Sequence, residues 1–255
     1  MFSTPMRSLN GFSLASVILL GTLPAAGQST RVLIPIVAAN APGVFGSQWT
    51  SEAVSLNTSS APVVTEYSHR CDTLCIPGAV LHAGVMEDLA ITPGSAVRAA
   101  FIYVPNESVD AIEFGLRVRD VSRQSDSWGT EVPVVREDRA FQRPFDLLNV
   151  PLPARFRQTL RVYGFDKTGG SVRVQYYDTT GRMLKEFLLP LLPPRSDDIF
   201  TPGYLQFDQF AQVPELAGVE RIRVRVSPTD ASQRLWAMIS VTNNVTQELT
   251  MITPQ

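Results

Sequence analysis

The sequence contains few of the residues on which catalytic and metal sites most often depend, with two histidines and two cysteines in 255 residues. Neither the Gly-x-Ser-x-Gly motif of serine hydrolases nor the His-Glu-x-x-His motif of zinc proteases occurs. A Ser-His-Asp triad would have to use His69 or His82, and both lie close to the cysteine pair. We therefore predict a protein that is not an enzyme and that uses no cofactor.

The sequence also has no large excess of positive or negative charge and few long apolar runs. The net charge is −2, and Lys167 and Lys185 are the only lysines. This balance provides no basic footprint for nucleic acid or for an anionic membrane surface. After residue 27, no apolar run reaches the roughly 20 residues that a transmembrane helix needs. We expect neither a nucleic-acid partner nor a membrane span.

The first 27 residues have the order of a secretory signal peptide. A polar segment with one basic residue, Arg7, precedes an apolar run at residues 14–23, and Ala25 and Gly27 supply the small residues before a cleavage site. The apolar run is too short to span a membrane. We expect cleavage after Gly27 and a secreted protein, either extracellular or periplasmic.

Both cysteines lie in one short segment, as Cys71 and Cys75. In an oxidising compartment a local disulfide is the expected state. The alternative is a zinc or copper site in which His69 and His82 join the two thiolates, because two sulfur and two imidazole ligands suit a tetrahedral metal. That alternative requires free thiols, which a disulfide would remove.

Alternation of apolar and polar residues dominates the rest of the chain. Residues 221–226, 171–176 and 113–118 each place apolar side chains at every second position, which predicts antiparallel strands with one buried face. Residues 178–182, Asp-Thr-Thr-Gly-Arg, predict a hairpin turn in which Gly181 adopts a positive φ. No long helical period is present. The sequence predicts an all-β protein built of antiparallel β-sandwiches.

The length of the chain and one irregular segment suggest two domains. Residues 136–144 are charged and interrupt the alternation, which resumes on both sides. We expect one β-sandwich domain over residues 28–140 and a second over residues 141–255, since each would have an ordinary domain size.

Alternating strands also create rows of arginine, of which Arg221, Arg223 and Arg225 form the longest. Such a row could hold an acidic polysaccharide through paired guanidinium hydrogen bonds. The other interpretation is a solvent-facing strand whose arginines pair with acidic residues on neighbouring strands.

The loop at residues 122–129 is the strongest candidate for recognition. It is almost wholly polar, joins two apparent strands and carries one tryptophan, Trp128. Loops on rigid β scaffolds often bind ligands. An exposed Trp128 could stack on a sugar ring while Arg123 and Asp126 bond its hydroxyls. Alternatively, Trp128 folds back to cap the sandwich.

Several segments together resemble secreted bacterial proteins built from immunoglobulin-like or fibronectin-like modules. These segments are a Trp-to-Asn stretch that occurs twice, at residues 49–57 and 236–244, the hairpin at 177–182, the strand at 242–246, and residues 43–49. The Cys…Trp…Cys spacing of immunoglobulin domains is absent. The resemblance implies adhesion or binding to a surface protein or polysaccharide, and it supplies no catalytic residue. A third role, pairing through exposed sheet edges in a larger assembly, remains open.

Overall fold

The computed structural model describes residues 28–67, 79–89, 97–123, 126–166, 169–193 and 201–255. The predicted signal peptide and the segment with Cys71 and Cys75 lie outside these residues. The strands are β1 (Ser29–Val37), β2 (Ala41–Pro42), β3 (Gln48–Asn57), β4 (Val63–Val64), β5 (Glu66–Tyr67), β6 (Val80–Leu81), β7 (Met86–Asp88), β8 (Arg98–Pro105), β9 (Ile112–Asp120), β10 (Thr130–Glu131), β11 (Val135–Arg136), β12 (Phe145–Pro151), β13 (Phe156–Gly164), β14 (Gly170–Tyr177), β15 (Met183–Leu191), β16 (Gly203–Phe207), β17 (Arg221–Pro228), β18 (Leu235–Asn243) and β19 (Leu249–Ile252). Short 3-10 turns occur at Val44–Gly46, Val109–Ala111, Glu137–Arg139, Phe210–Gln212 and Pro214–Leu216.

The fold is all-β, as the alternation of the sequence predicts. Sheet 1 has the strand order β11-β1-β8-β5, and sheet 2 has the order β10-β9-β3-β2 with β7 also paired to β3. Sheet 3 has the order β16-β13-β18-β19, and sheet 4 has the order β12-β17-β14-β15. Within the described residues, β4 and β6 form a further two-stranded sheet. The paired strands of all these sheets are antiparallel. Within the described residues, no helix is long and apolar enough to cross a membrane.

Local patterns fold as the sequence predicts. In β17 the alternate residues Ile222, Val224 and Val226 are buried, while the arginines between them face outward. The hairpin at residues 178–182 joins β14 to β15, and Gly181 has a φ of 88°. Asp178 stabilises this turn, because its carboxylate accepts hydrogen bonds from the amides of Thr180 (2.9 Å) and Arg182 (3.0 Å).

The described residues form two hydrophobic cores, and sheet 3 contributes to both. The first core is formed mainly by sheets 1 and 2, and the second by sheets 3 and 4. Strand β18 places Trp236 and Met238 in the first core and alternate neighbours such as Ala237 and Ile239 in the second. Because successive side chains of a strand point to opposite faces, the sheet is covered by a core on each side.

Polar contacts also tie the first half of the chain to the second. The buried hydroxyl of Tyr163 donates to the backbone oxygen of Pro35 at 2.6 Å. Arg31 forms a salt bridge with Glu137 (2.9 Å) and also donates to the backbone oxygen of Phe165. These contacts lie beside apolar packing from both halves, so sheet 3 and the first core form one continuous structure.

Candidate binding surface at one end of the sheets

Three turns meet at one end of the molecule: residues 43–47, the described parts of the loop at 121–123 and 126–129, and residues 243–248. The first two are neighbours because β3 begins where β9 ends: the Val121 amide donates to the Gln48 oxygen at 2.8 Å. The third lies beside them through Arg157, as described below. We call five side chains on these turns, Val44, Phe45, Arg123, Trp128 and Val245, together with Arg157 at the start of β13, the apical surface.

Asp120 organises the base of this surface. It is fully buried at the end of β9, and its Oδ1 accepts hydrogen bonds from the Gln48 amide (2.8 Å), the Ser122 amide (3.0 Å) and the Ser122 hydroxyl (2.6 Å). Burial raises the pKa of Asp120, but these hydrogen bonds and the nearby Arg123 outweigh it and lower the pKa below the ordinary value. The carboxylate therefore stays ionised and fixes where both loops leave the sheet.

Phe45 is held outward by a constrained turn. Its side chain is 62% exposed and its backbone has a φ of 58°, a left-handed conformation that is unusual for a bulky residue. The guanidinium of Arg123 donates to the Phe45 backbone oxygen. A Cβ at Gly43 would lie 2.6 Å from the Trp49 indole nitrogen, so this turn requires glycine there. Strained residues that the surrounding structure enforces are often functional.

Arg157 joins the turn of Phe45 to the second half of the chain. Its guanidinium lies 5.8 Å from the centroid of the Phe45 ring and donates to the side-chain oxygens of Asn244 (3.1 Å) and Gln247 (2.7 Å). Burial lowers the pKa of Arg157; Asp120 opposes this effect and Arg123 adds to it. The two arginines thus give the apical surface positive charge beside an exposed aromatic ring.

Trp128 is 79% exposed. The interpretation in which it folds back to cap the sandwich is therefore wrong, and the indole is available to a partner. The loop is shaped at its end by Gly129, which has a φ of 78° and whose Cβ would lie 2.7 Å from the Val118 backbone oxygen. Arg123 and Asp126 are exposed on the same loop.

The structure adds Phe45 and Arg157 to the residues that the sequence singles out. Phe45 lies 78 positions from Arg123 in the chain, so no local pattern connects the two. The available signal was the Gly43-Val-Phe-Gly46 turn, in which glycines flank an apolar pair. Glycine is common in turns because it tolerates a positive φ, and Gly46 has a φ of 75° here.

The histidine–cysteine segment is described only at His82. This side chain is exposed, and its Nδ1 lies 2.6 Å from Oε1 of Glu87. The contact lowers the pKa of the Glu87 carboxyl. His69, Cys71 and Cys75 lie outside the described residues. Among the residues that the structure does describe, no group of three or more His, Cys, Asp or Glu side chains could hold a metal.

The arginine row of β17 is partly neutralised by the neighbouring strand. Arg225 contacts both carboxylate oxygens of Asp146 at 2.9 Å, and Arg223 lies 3.6 Å from the same group. Both guanidiniums also lie over the Tyr177 ring, at 5.7 and 4.3 Å from its centroid. Two of the three arginines therefore pair with an acid on β12, as expected of a solvent-facing strand.

Comparison with known proteins does not assign the chain to a family. No protein-family model matches the chain, and no curated protein or solved structure matches it.

Proposed function

We propose that the protein is a secreted, non-enzymatic binding module that recognises an extracellular polysaccharide through its apical surface. In this proposal a cleaved signal peptide precedes two immunoglobulin-like β-sandwich domains, and Cys71 and Cys75 form a local disulfide. The observation that carries the proposal is the exposure of Trp128, at 79%, on the same end of the sheets as the outward-facing Phe45.

The chemistry of the apical surface suits a sugar chain. Exposed aromatic rings offer flat apolar faces to the C–H side of a pyranose, and guanidiniums donate several hydrogen bonds to hydroxyls. Arg157 lies beside the Phe45 ring, and Arg123 donates to the Phe45 backbone oxygen. The hydrogen-bond acceptors of both guanidiniums are uncharged oxygens. The strands that carry these turns fix where each turn begins and ends, which reduces the conformational entropy lost on association.

Replacement of Trp128 by Ala tests the proposal. We expect binding to a panel of immobilised bacterial polysaccharides to fall at least about tenfold, since an exposed hot-spot aromatic contributes about 2 kcal/mol or more. The melting temperature should stay nearly constant, because the indole is mostly in solvent. Leu188→Ala is the matched control: Leu188 is 64% exposed on β15, away from the apical turns.

The panel also includes surface proteins from the same cells. If the protein binds surface proteins but no polysaccharide, and Trp128→Ala weakens that binding, the partner is a surface protein. Equal binding by the Trp128→Ala and Leu188→Ala variants would contradict the role of the apical surface. The native mass of the protein, measured without reductant, tests the rest of the proposal. A mass equal to that of residues 28–255 less two hydrogens would support secretion and the disulfide. A mass that includes bound zinc or copper, with both thiols free, would favour the metal site.

A further inference from the structure

A concave site lies between sheets 3 and 4, and neither Phe45 nor Trp128 of the apical surface lines it. It is a groove of about 650 Å³, within the usual range for small-molecule sites. Its wall is mainly apolar and includes Leu148 from β12, Phe156 from β13, Val241 from β18 and Ile252 from β19. These side chains belong to neighbouring strands of rigid sheets, so the groove is already formed without a ligand.

Two arginines, Arg155 and Arg221, also line this groove. The guanidinium of Arg155 lies 5.0 Å from the centroid of the Phe156 ring, and Nη1 of Arg221 lies 3.5 Å from Oδ1 of Asn149. Both partners are neutral. Neither guanidinium forms an ion pair with a carboxylate of the described residues, so a neutral group alone positions each one.

Arg221 differs from the other two arginines of β17 in the group that it contacts. Arg223 and Arg225 stand on the same strand as Arg221, but they share the carboxylate of Asp146. Arg221 is directed instead toward Asn149, which lies within the register shift of β12, between Leu147 and Val150, and has a φ of 60°. At this irregularity of β12 the arginine of the row that lines the groove contacts an amide instead of a carboxylate.

One carboxylate, Glu220, also lines the groove. It is exposed, and it leaves the site with two positive groups and one negative group. A ligand with a single negative charge would neutralise the remaining positive charge. Guanidinium groups bind carboxylates through paired, charge-assisted hydrogen bonds.

We infer that this groove binds a small organic carboxylate with an apolar body, which Arg155 and Arg221 hold by its carboxylate. The apolar body would cover Leu148, Phe156 and Ile252, and the carboxylate would lie at the rim where the two guanidiniums are exposed. The groove shares no side chain with the apical surface, although the two adjoin: the Asn244 amide donates to the Arg155 backbone oxygen at 2.8 Å.

The probes are hexanoate and benzoate, each compared with its neutral amide, in ligand-observed NMR titrations of the mature protein at low salt. The amides match the acids in size and apolar area but lack the charge. We expect the acids to bind in the millimolar range and each amide to bind about tenfold more weakly, the ratio expected when one charge-assisted pair is lost. Added salt should weaken binding of the acids only.

The variants Arg155→Gln and Arg221→Gln should each weaken acid binding by about fivefold to tenfold. Arg173→Gln is the control, because Arg173 is an exposed strand arginine on sheet 4 that does not line the groove. Trp128→Ala should leave acid binding unchanged, which separates this site from the apical surface. Equal affinity for acid and amide, or unchanged acid binding in the Arg155→Gln/Arg221→Gln double variant, would overturn the inference.

Discussion

Two buried tyrosines provide a matched test of how the halves of the molecule are joined. Tyr163 and Tyr176 are both fully buried. The Tyr163 hydroxyl donates to the Pro35 oxygen across the first core at 2.6 Å, whereas the Tyr176 hydroxyl has no hydrogen-bond partner among the described residues. Replacement of each by Phe removes the same atom from the same degree of burial, so the difference isolates the hydrogen bond.

The expected magnitudes follow from the two environments. Tyr163→Phe leaves the Pro35 oxygen without this donor, and an unsatisfied buried polar group costs about 1–3 kcal/mol. Tyr176→Phe removes an unpaired hydroxyl from an apolar site, so the free energy of unfolding should stay constant or rise slightly. For a chain of this size, about 1 kcal/mol corresponds to a change of about 2–4 °C in Tm.

Urea denaturation of the wild type and both variants, followed by circular dichroism and tryptophan fluorescence, measures the two changes side by side. The reasoning is refuted if the two variants lose equal stability, because the Tyr163–Pro35 hydrogen bond would then contribute nothing beyond packing. A third variant, Leu188→Ala on the exposed face of β15, shows the scatter expected of a change that touches neither core.

Three further predictions follow. Trp236→Ala should lower the free energy of unfolding by about 3–5 kcal/mol. The variant should keep a single urea transition because sheet 3 contributes to both cores, and two separate transitions would contradict this. Burial raises the pKa of Tyr163 and Tyr176, so stability should fall as pH rises above 10, where unfolded tyrosine ionises, and Tyr176→Phe should flatten that slope in alkaline urea titrations. Hydrogen bonds from the Thr180 hydroxyl and from the amides of Thr180 and Arg182 lower the pKa of Asp178 to about 2. The midpoint of its titration, followed by NMR, should therefore lie near that pH. A midpoint near 4 would show that these hydrogen bonds do not form.

The sequence alone determined the class of the fold and its local turns. Residues 221–226 alternate because one face of β17 is buried, and the Asp178–Gly181 turn depends on side-chain hydrogen bonds and a positive φ within five residues. Both effects act over short distances along the chain, so they are visible in the order of residues.

Only the tertiary structure decided how the strands were shared between cores and which side chains met. The continuous apolar run around Trp236 shows burial, but not that its two faces lie in different cores. Exposure of Trp128, the approach of Arg157 to Phe45, and the pairing of Arg225 with Asp146 depend on contacts between distant segments. Such contacts are set by packing of whole sheets, and a strand pattern with period two is equally compatible with many arrangements of its neighbours.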